Sequence, residues 1–140
     1  MTQQQSIENM EISIEKTPES EFWWEGINNH ELHIQACNEC DKNWFPTVHR
    51  CPYCASTNWN WKKVSGLGKV YSWVGIHRAF DPSFADDVPY TILTVQLDEG
   101  PRILGKLIPS EDSKNLYADI PVKATYYKKG SQTFLGFSKA

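Results

Sequence analysis

The chain lacks any apolar run approaching the ~20 residues that a bilayer-spanning helix requires. Residues Met1 to Met10 have neither a basic cluster nor an apolar stretch, so no export signal is expected there. Arginine is scarce and occurs only at Arg50, Arg78 and Arg102. A strong basic excess is also missing, since the formal net charge is -3. Nucleic-acid binders draw most of their affinity from neutralising phosphates, so this balance argues against that class. No internal repeat is present. No Ser-His-Asp order stands out. Asp86 and Asp87 are adjacent and point apart in an extended segment, which makes a poor acid–base pair. His77 beside Arg78 reads as an ordinary half-exposed strand residue. Gly66 and Gly68 form no phosphate loop, because no helix follows to offer its N-terminus. These absences leave a soluble, cytoplasmic protein with no membrane or nucleic-acid partner.

Hydrophobic residues make up 40% of the 140 residues and aromatics 13%. That is enough for a packed core, in one domain or in two very small ones sharing a core. The charge is unevenly placed. Glu8, Glu11, Glu15, Glu19 and Glu21 face only Lys16 within the first 21 residues, and the rest is nearly balanced. Residues 1–16 therefore read as a flexible acidic tail.

All four cysteines fall in one short stretch, Cys37-x2-Cys40 and Cys51-x2-Cys54. Two knuckles offering two thiolates each satisfy tetrahedral zinc. A pair of disulfides fits poorly with a chain that shows no export signal. A redox Cys-x-x-Cys pair would not explain two pairs so close together. Iron or a cluster remains a further reading. Four cysteines close a zinc site, whereas a catalytic site keeps one position open. The metal thus reads as a structural staple, with His49 an exposed loop residue rather than a ligand.

Around this centre the chain divides into four parts. Thr17-Pro18-Glu19 resembles an N-cap, a first-position proline and a first-turn acid, so a short helix is expected within 17–30. Its Phe22, Trp23 and Trp24 cannot all face one core. They pack on the protein's own ribbon and barrel, or they meet a partner. Residues 31–61 form the zinc ribbon, with strands at 32–36 and around Trp59 to Trp61. Residues 62–140 turn all-β. Strands are expected at 69–77, with a bulge at Gly75, then at 90–97, 102–107, 122–127 and 133–137. A loop at 78–89, a helical turn within 110–118 and a hairpin loop at 128–131 complete the pattern. Five short strands with a break before the fourth suit a small OB-like barrel.

The order Cys37-x2-Cys40, Trp44-Phe45-Pro46, Cys51-Pro52-Tyr53-Cys54, Val64-Ser65-Gly66-Leu67-Gly68-Lys69-Val70-Tyr71-Ser72, Pro89-Tyr90 and Val95-Gln96-Leu97-Asp98-Glu99-Gly100-Pro101-Arg102 resembles the zinc-ribbon/OB-fold family first named domain of unknown function thirty-five. The resemblance runs from about Phe22 to Phe137. It implies a mainly β protein with a short N-terminal helix, a rubredoxin-like zinc ribbon and a C-terminal OB-fold barrel. It also implies a small subunit of acyl-CoA metabolism that works beside thiolases, synthases, acyltransferases, hydratases or aldolases. The family often has glycine after the second and fourth cysteines, where Asp41 and Ala55 stand here, so those turns are expected to be strained. It also tends to have glycine before a Val-x-Val strand, where Asp119-Ile120-Pro121-Val122 stands.

The expected function is a non-catalytic zinc-binding accessory subunit that binds or channels acyl-CoA beside a thiolase-fold enzyme. The alternatives are an OB-fold nucleic-acid module, whose Trp73, Phe80 and Phe84 would stack bases, and a stand-alone acyl-CoA carrier. A coenzyme A thioester needs cations, a stacking face and a groove. The candidates are Lys42, Trp44 and Arg50 on the ribbon and Arg78, Phe80 and Arg102 on the barrel. The plainer role for Arg102 is an ion pair with Asp98 or Glu99, and that for Trp44 is packing over the knuckles.

Overall fold

The structure, a computed structural model, describes residues 14–110 and 115–140. Most of the acidic tail and the middle of the helical turn expected within 110–118 lie outside the described residues.

Among the described residues one short helix, α1 (Glu21–Asn28), precedes eight strands. The helix starts later than Thr17-Pro18-Glu19 suggested. Thr17 and Ser20 instead close a turn on each other, with Thr17 N donating to Ser20 Oγ at 2.9 Å and Ser20 N to the Thr17 carbonyl at 3.0 Å. Ser20 therefore stands at the N-cap without capping through its side chain. At the other end Glu31 N donates to the Gly26 carbonyl at 2.8 Å and His30 N to that of Ile27 at 3.0 Å. His30 is left-handed, φ 59°, in this Schellman-type stop, and its ring stacks on Tyr126 at 4.8 Å.

The three adjacent aromatics of α1 reach three surfaces of the protein itself. Phe22 stacks on Trp61 at 5.1 Å, Trp23 meets Phe45 at 5.9 Å, and Trp24 meets Phe134 edge-on at 6.2 Å. Such ring pairs contribute about 0.5–1.5 kcal/mol each beyond the area they bury. The helix thereby ties ribbon to barrel.

Strands β1 (His33–Cys37), β2 (Asn43–Trp44) and β3 (Trp59–Lys63) form an antiparallel sheet ordered β2-β1-β3. Strands β4 (Leu67–Ile76), β5 (Tyr90–Leu97), β6 (Arg102–Leu107), β7 (Pro121–Lys129) and β8 (Gln132–Lys139) form a closed barrel ordered β4-β5-β6-β8-β7. Its one parallel pairing joins β6 to β8 through Lys106↔Gly136 and Leu107↔Phe137. This is the OB arrangement of a five-stranded Greek-key barrel. Strict alternation drives it, since Thr91, Leu93, Val95 and Leu97 point inward from β5 and Ile103 and Leu107 from β6. At the closure a Cβ on Gly136 would lie 2.9 Å from the Lys106 carbonyl oxygen, so only glycine lets the two strands approach.

Two expectations shift. The bulge in β4 falls at Tyr71, between Val70 and Ser72, while Gly75 pairs regularly with Thr91. The last hairpin turns across Gly130-Ser131 alone, because Lys128 and Lys129 continue the ladder opposite Thr133 and Gln132. The loop at 78–89 contains a 3-10 turn, Pro82–Phe84, capped by Asp81, whose carboxylate accepts from Ser83 N at 2.9 Å.

One core joins helix, ribbon and barrel. Ile27, Leu32, Ile34 and Val64 pack in a continuous cluster with Val70, Leu93, Val95, Ile103, Val122 and Phe137. A smaller cluster of Cys37, Trp44 and Cys51 lies under the knuckles.

Candidate metal centre and the adjoining groove

The Cys37 and Cys51 knuckles fold alike. Cys37 N donates to the Lys42 carbonyl at 2.9 Å, and Cys51 N to the Ser56 carbonyl at the same distance. In the first knuckle the backbone N–H groups of Glu39 and Cys40 point at Cys37 Sγ, each at 3.4 Å, and in the second Tyr53 N points at Cys51 Sγ at 3.4 Å. These amides favour the thiolate. Burial pushes the Cys51 thiol up. Even so, the N–H groups of Tyr53 and Cys54, with the neighbouring Cys40 and Cys54 thiols, pull it down to about 7. Each knuckle then leaves through a left-handed residue, Asp41 (φ 62°) and Ala55 (φ 63°). Asp119 (φ 70°) does the same before β7. These are the three places where the resemblance implies glycine.

All four sulfurs lie within 4.8 Å of one another, with Cys37–Cys54 at 3.5 Å and Cys40–Cys51 at 3.6 Å. The four cysteines are free thiols, well beyond the ~2.05 Å of a disulfide. Zinc–sulfur bonds of ~2.3 Å in a tetrahedron place sulfurs about 3.8 Å apart. The donor set, the spacing and the inward-turned amides thus fit a structural zinc ion. His49 is not part of the cluster; its carbonyl accepts from Trp59 Nε1 at 2.8 Å.

A residue that sequence reasoning passed over holds the loop between the knuckles. Gln35, fully buried on β1, donates from Nε2 to the Val48 carbonyl at 2.7 Å and accepts from Val48 N at 2.9 Å. Its amide replaces a strand partner for that loop. The only sequence signal was a polar residue in the alternating run 32–36.

Where ribbon meets barrel, a groove of about 520 Å³ opens between Trp44, Phe45 and Tyr53 on one side and Gln96, Pro101 and Arg102 on the other. An adjoining recess of about 350 Å³ is lined by Lys42, Asn43 and Glu99 among others. Asn43 Nδ2 donates to the Glu99 carbonyl at 3.0 Å and ties the two walls together. The structure thus brings Lys42, Trp44 and Arg102 to one junction. Trp44 also packs over the knuckles, at 4% exposure. Arg102 makes no ion pair with Asp98 or Glu99 among the described residues. Its guanidinium lies 3.7 Å over the Tyr71 ring and its Nε donates to Gln96 Oε1 at 3.0 Å. Gln96 faces Arg102 across the β5–β6 ladder, and the bulge sets Tyr71 beyond it. The other candidates lie elsewhere. Arg50 caps its own knuckle, donating to the Ala55 carbonyl at 3.1 Å, and Arg78 sits 5.2 Å over Phe80 in the loop after β4. None of these three lines the groove.

Among the described residues no helix is long and apolar enough to cross a membrane. The family model for the ChsH2 rubredoxin-like zinc ribbon domain matches residues 24–60, and that for the ChsH2 C-terminal OB-fold domain matches residues 61–126. Over 105 residues, 75% of this chain, the sequence is 35% identical to a 3-oxo-4,17-pregnadiene-20-carboxyl-CoA hydratase alpha subunit of Mycobacterium tuberculosis. It is 34% identical over 87 residues to a probable enoyl-CoA hydratase alpha subunit of Thermomonospora curvata, and 33% identical over 91 residues to a DUF35 domain-containing scaffold protein of Methanocaldococcus jannaschii. The matched stretches span 32%, 27% and 63% of those proteins, respectively. A solved Ltp2-ChsH2(DUF35) aldolase superposes with a TM-score of 0.80 at 26% identity, covering 91% of this chain and 98% of that one. A Sulfolobus solfataricus protein of the DUF35 family, at 16% identity and TM-score 0.61, shares the fold.

Proposed function

This chain belongs to the ChsH2/DUF35 family of zinc-ribbon and OB-fold proteins, and from that premise we propose that it is a non-catalytic accessory subunit of an acyl-CoA enzyme. Its partner is a thiolase-like enzyme, that is, a thiolase, acyltransferase or aldolase. The chain binds or channels the coenzyme A thioester beside that partner's active site. The observation that carries this reading is the ribbon–barrel junction, which gathers Lys42, Trp44 and Arg102 around an open groove. Arg102 on the groove, Lys42 on the recess beside it and the neighbouring aromatic rings suit a ligand with phosphates and a long arm. All four cysteines sit in the metal cluster, so none serves as a nucleophile, and the reacting groups belong to the partner. The names of the relatives support a subunit role, since two are alpha subunits of CoA hydratases and one solved structure is an aldolase assembly.

The test is co-expression with the thiolase-like enzyme of the same source. One stable complex should form, and Lys42→Ala and Arg102→Ala should lower its acyl-CoA turnover with zinc content unchanged. A chain that gains no partner, and whose removal leaves acyl-CoA turnover intact, refutes the reading.

A further inference from the structure

Strand β4 is paired on both sides for only half its length. On the β7 side it is held through Leu67↔Lys123, Gly68↔Val122 and Lys69↔Pro121. Val70 follows, its N donating to the Ile120 carbonyl at 3.0 Å and its carbonyl accepting from Asp119 N at 2.8 Å. Then comes the bulge at Tyr71, and past it residues 72–76 pair with β5 alone among the described residues. About 16 Å of backbone edge is left open. Natural edges are blunted by lysine, proline or a covering segment. Tyr71-Ser72-Trp73-Val74-Gly75-Ile76 has neither a charge nor a proline, and its Tyr71, Trp73 and Val74 are 53%, 37% and 52% exposed. The sheet face beside this edge is of the same kind. Residues opposite one another share a face, so Val74, Ile92 and Lys106 form one row and Ser72, Thr94 and Leu104 the next. Leu104 is 60% exposed. Contiguous exposed apolar side chains rimmed by charge mark an interaction surface.

Charge decides what fits. Strands β4, β5 and β6 carry Lys69, Arg102 and Lys106 and no acidic residue, and His77 and Arg78 follow directly on β4. Arg78, Arg102 and Lys106 lie over rings, which leaves their charge in place. Neither they nor Lys69 is ion-paired among the described residues. A second copy would set the same cations against these. We propose that the open edge of β4 receives an extended segment of the partner enzyme, added as a further strand. Its backbone bonds to residues 72–76, its alternate apolar side chains cover Val74 and Leu104, and its acids face Lys69 and Arg78. The inference rests on the accessory-subunit reading above and adds where the partner is held.

The experiment is hydrogen exchange on the zinc-loaded full chain, alone and in complex with the partner enzyme, with affinity measured by biolayer interferometry. Amides within residues 72–76 should exchange fast in the chain alone and about ten-fold more slowly or better in the complex. Val74→Lys puts a charge on the edge at an exposed position and should weaken the complex about ten-fold, with zinc content unchanged. Lys69→Glu leaves the apolar edge intact and should weaken it too, most at low salt, so the proposal does not depend on one variant folding. Wild-type affinity in both variants, with no protection at 72–76, overturns this inference and leaves the accessory-subunit reading standing. Weakened binding without protection means a face contact and no added strand, and also overturns it. So does protection already present in the chain alone. If that protection falls on dilution, the edge belongs to a second copy; if it falls on deleting residues 1–13, it belongs to the chain's own N-terminal segment. Absence of any complex removes both readings.

Discussion

Asp41 and Ala55 hold the same left-handed conformation, φ 62° and 63°, each one residue past the second cysteine of its knuckle. A side chain there crowds the following carbonyl, at a cost of roughly 1–2 kcal/mol for an ordinary residue and less for Asp or Asn. Glycine removes that cost but loses more entropy on folding, roughly 0.5–1 kcal/mol. Ala55→Gly should therefore stabilise the protein by about 0.5–1 kcal/mol, and Asp41→Gly should be close to neutral. Chemical denaturation of the zinc-loaded protein checks the pair. A destabilised Ala55→Gly variant would mean that the knuckle does not hold this turn.

The Gln35–Val48 amide pair supports a second expectation. Gln35→Met keeps the volume and strands the Val48 N–H and carbonyl, a loss of about 2–3 kcal/mol. The loop it anchors joins the two halves of the zinc site, so zinc should also exchange faster. Competition with a colorimetric chelator measures this. Wild-type exchange in the variant would show that the cysteines alone position the loop.

What could be read from the sequence depended on whether the signal was local. The knuckles were visible because the ligand spacing is written in the 18 consecutive residues from Cys37 to Cys54. Tyr90 to Leu97 and Arg102 to Leu107 were visible because alternate apolar residues carry their own face assignment. The bulge at Tyr71 was not, because a bulge is defined against a partner strand twenty or so residues away. The same holds for Gln35, whose partner is a loop backbone, and for Arg102, whose nearest carboxylates in sequence are Asp98 and Glu99 but whose contacts are Gln96 and Tyr71. Thr17-Pro18-Glu19 misled for a related reason. Ser20 satisfies the Thr17 backbone first, and the helix starts after both.

His33 makes stability depend on pH. It lies under α1, buried, with Nδ1 lacking a partner and the site of a Gly26 Cβ only 2.7 Å away. Burial holds its pKa below the usual 6.5, outweighing the Glu31 carboxylate that raises it, and Lys63 lowers it further. The unfolded chain then binds the proton more readily than the folded one. Stability is lost as pH falls below 6.5, until the folded-state value is passed. His33→Gln should flatten the fall in melting temperature as the pH drops below 6.5. Parallel curves for the two proteins would mean that His33 is not the group responsible.

The OB barrel leaves the nucleic-acid alternative to be decided. Non-sequence-specific strand binders combine free cations along a groove with open aromatic faces. Here several of the cations lie against rings or carboxylates. Lys42 lies over Tyr53, Lys106 between Tyr90 and Tyr127, Arg78 over Phe80 and Arg102 over Tyr71. Lys129 is paired with Asp87 at 2.7 Å and sits over Phe84, and Lys63 is paired with Glu31 at 3.4 Å. Of the three rings proposed to stack bases, Phe80 and Phe84 each already have a cation on one face. The net charge of -3 gives a phosphate backbone no long-range attraction. Binding of a labelled single-stranded oligonucleotide at about 150 mM salt should thus be no tighter than the roughly 10⁻⁴–10⁻⁶ M of ordinary non-specific association. Anisotropy titrations at several salt concentrations measure it. Nanomolar affinity with a steep loss on adding salt would show that these cations are free to meet phosphates, and would make the barrel a strand-binding module.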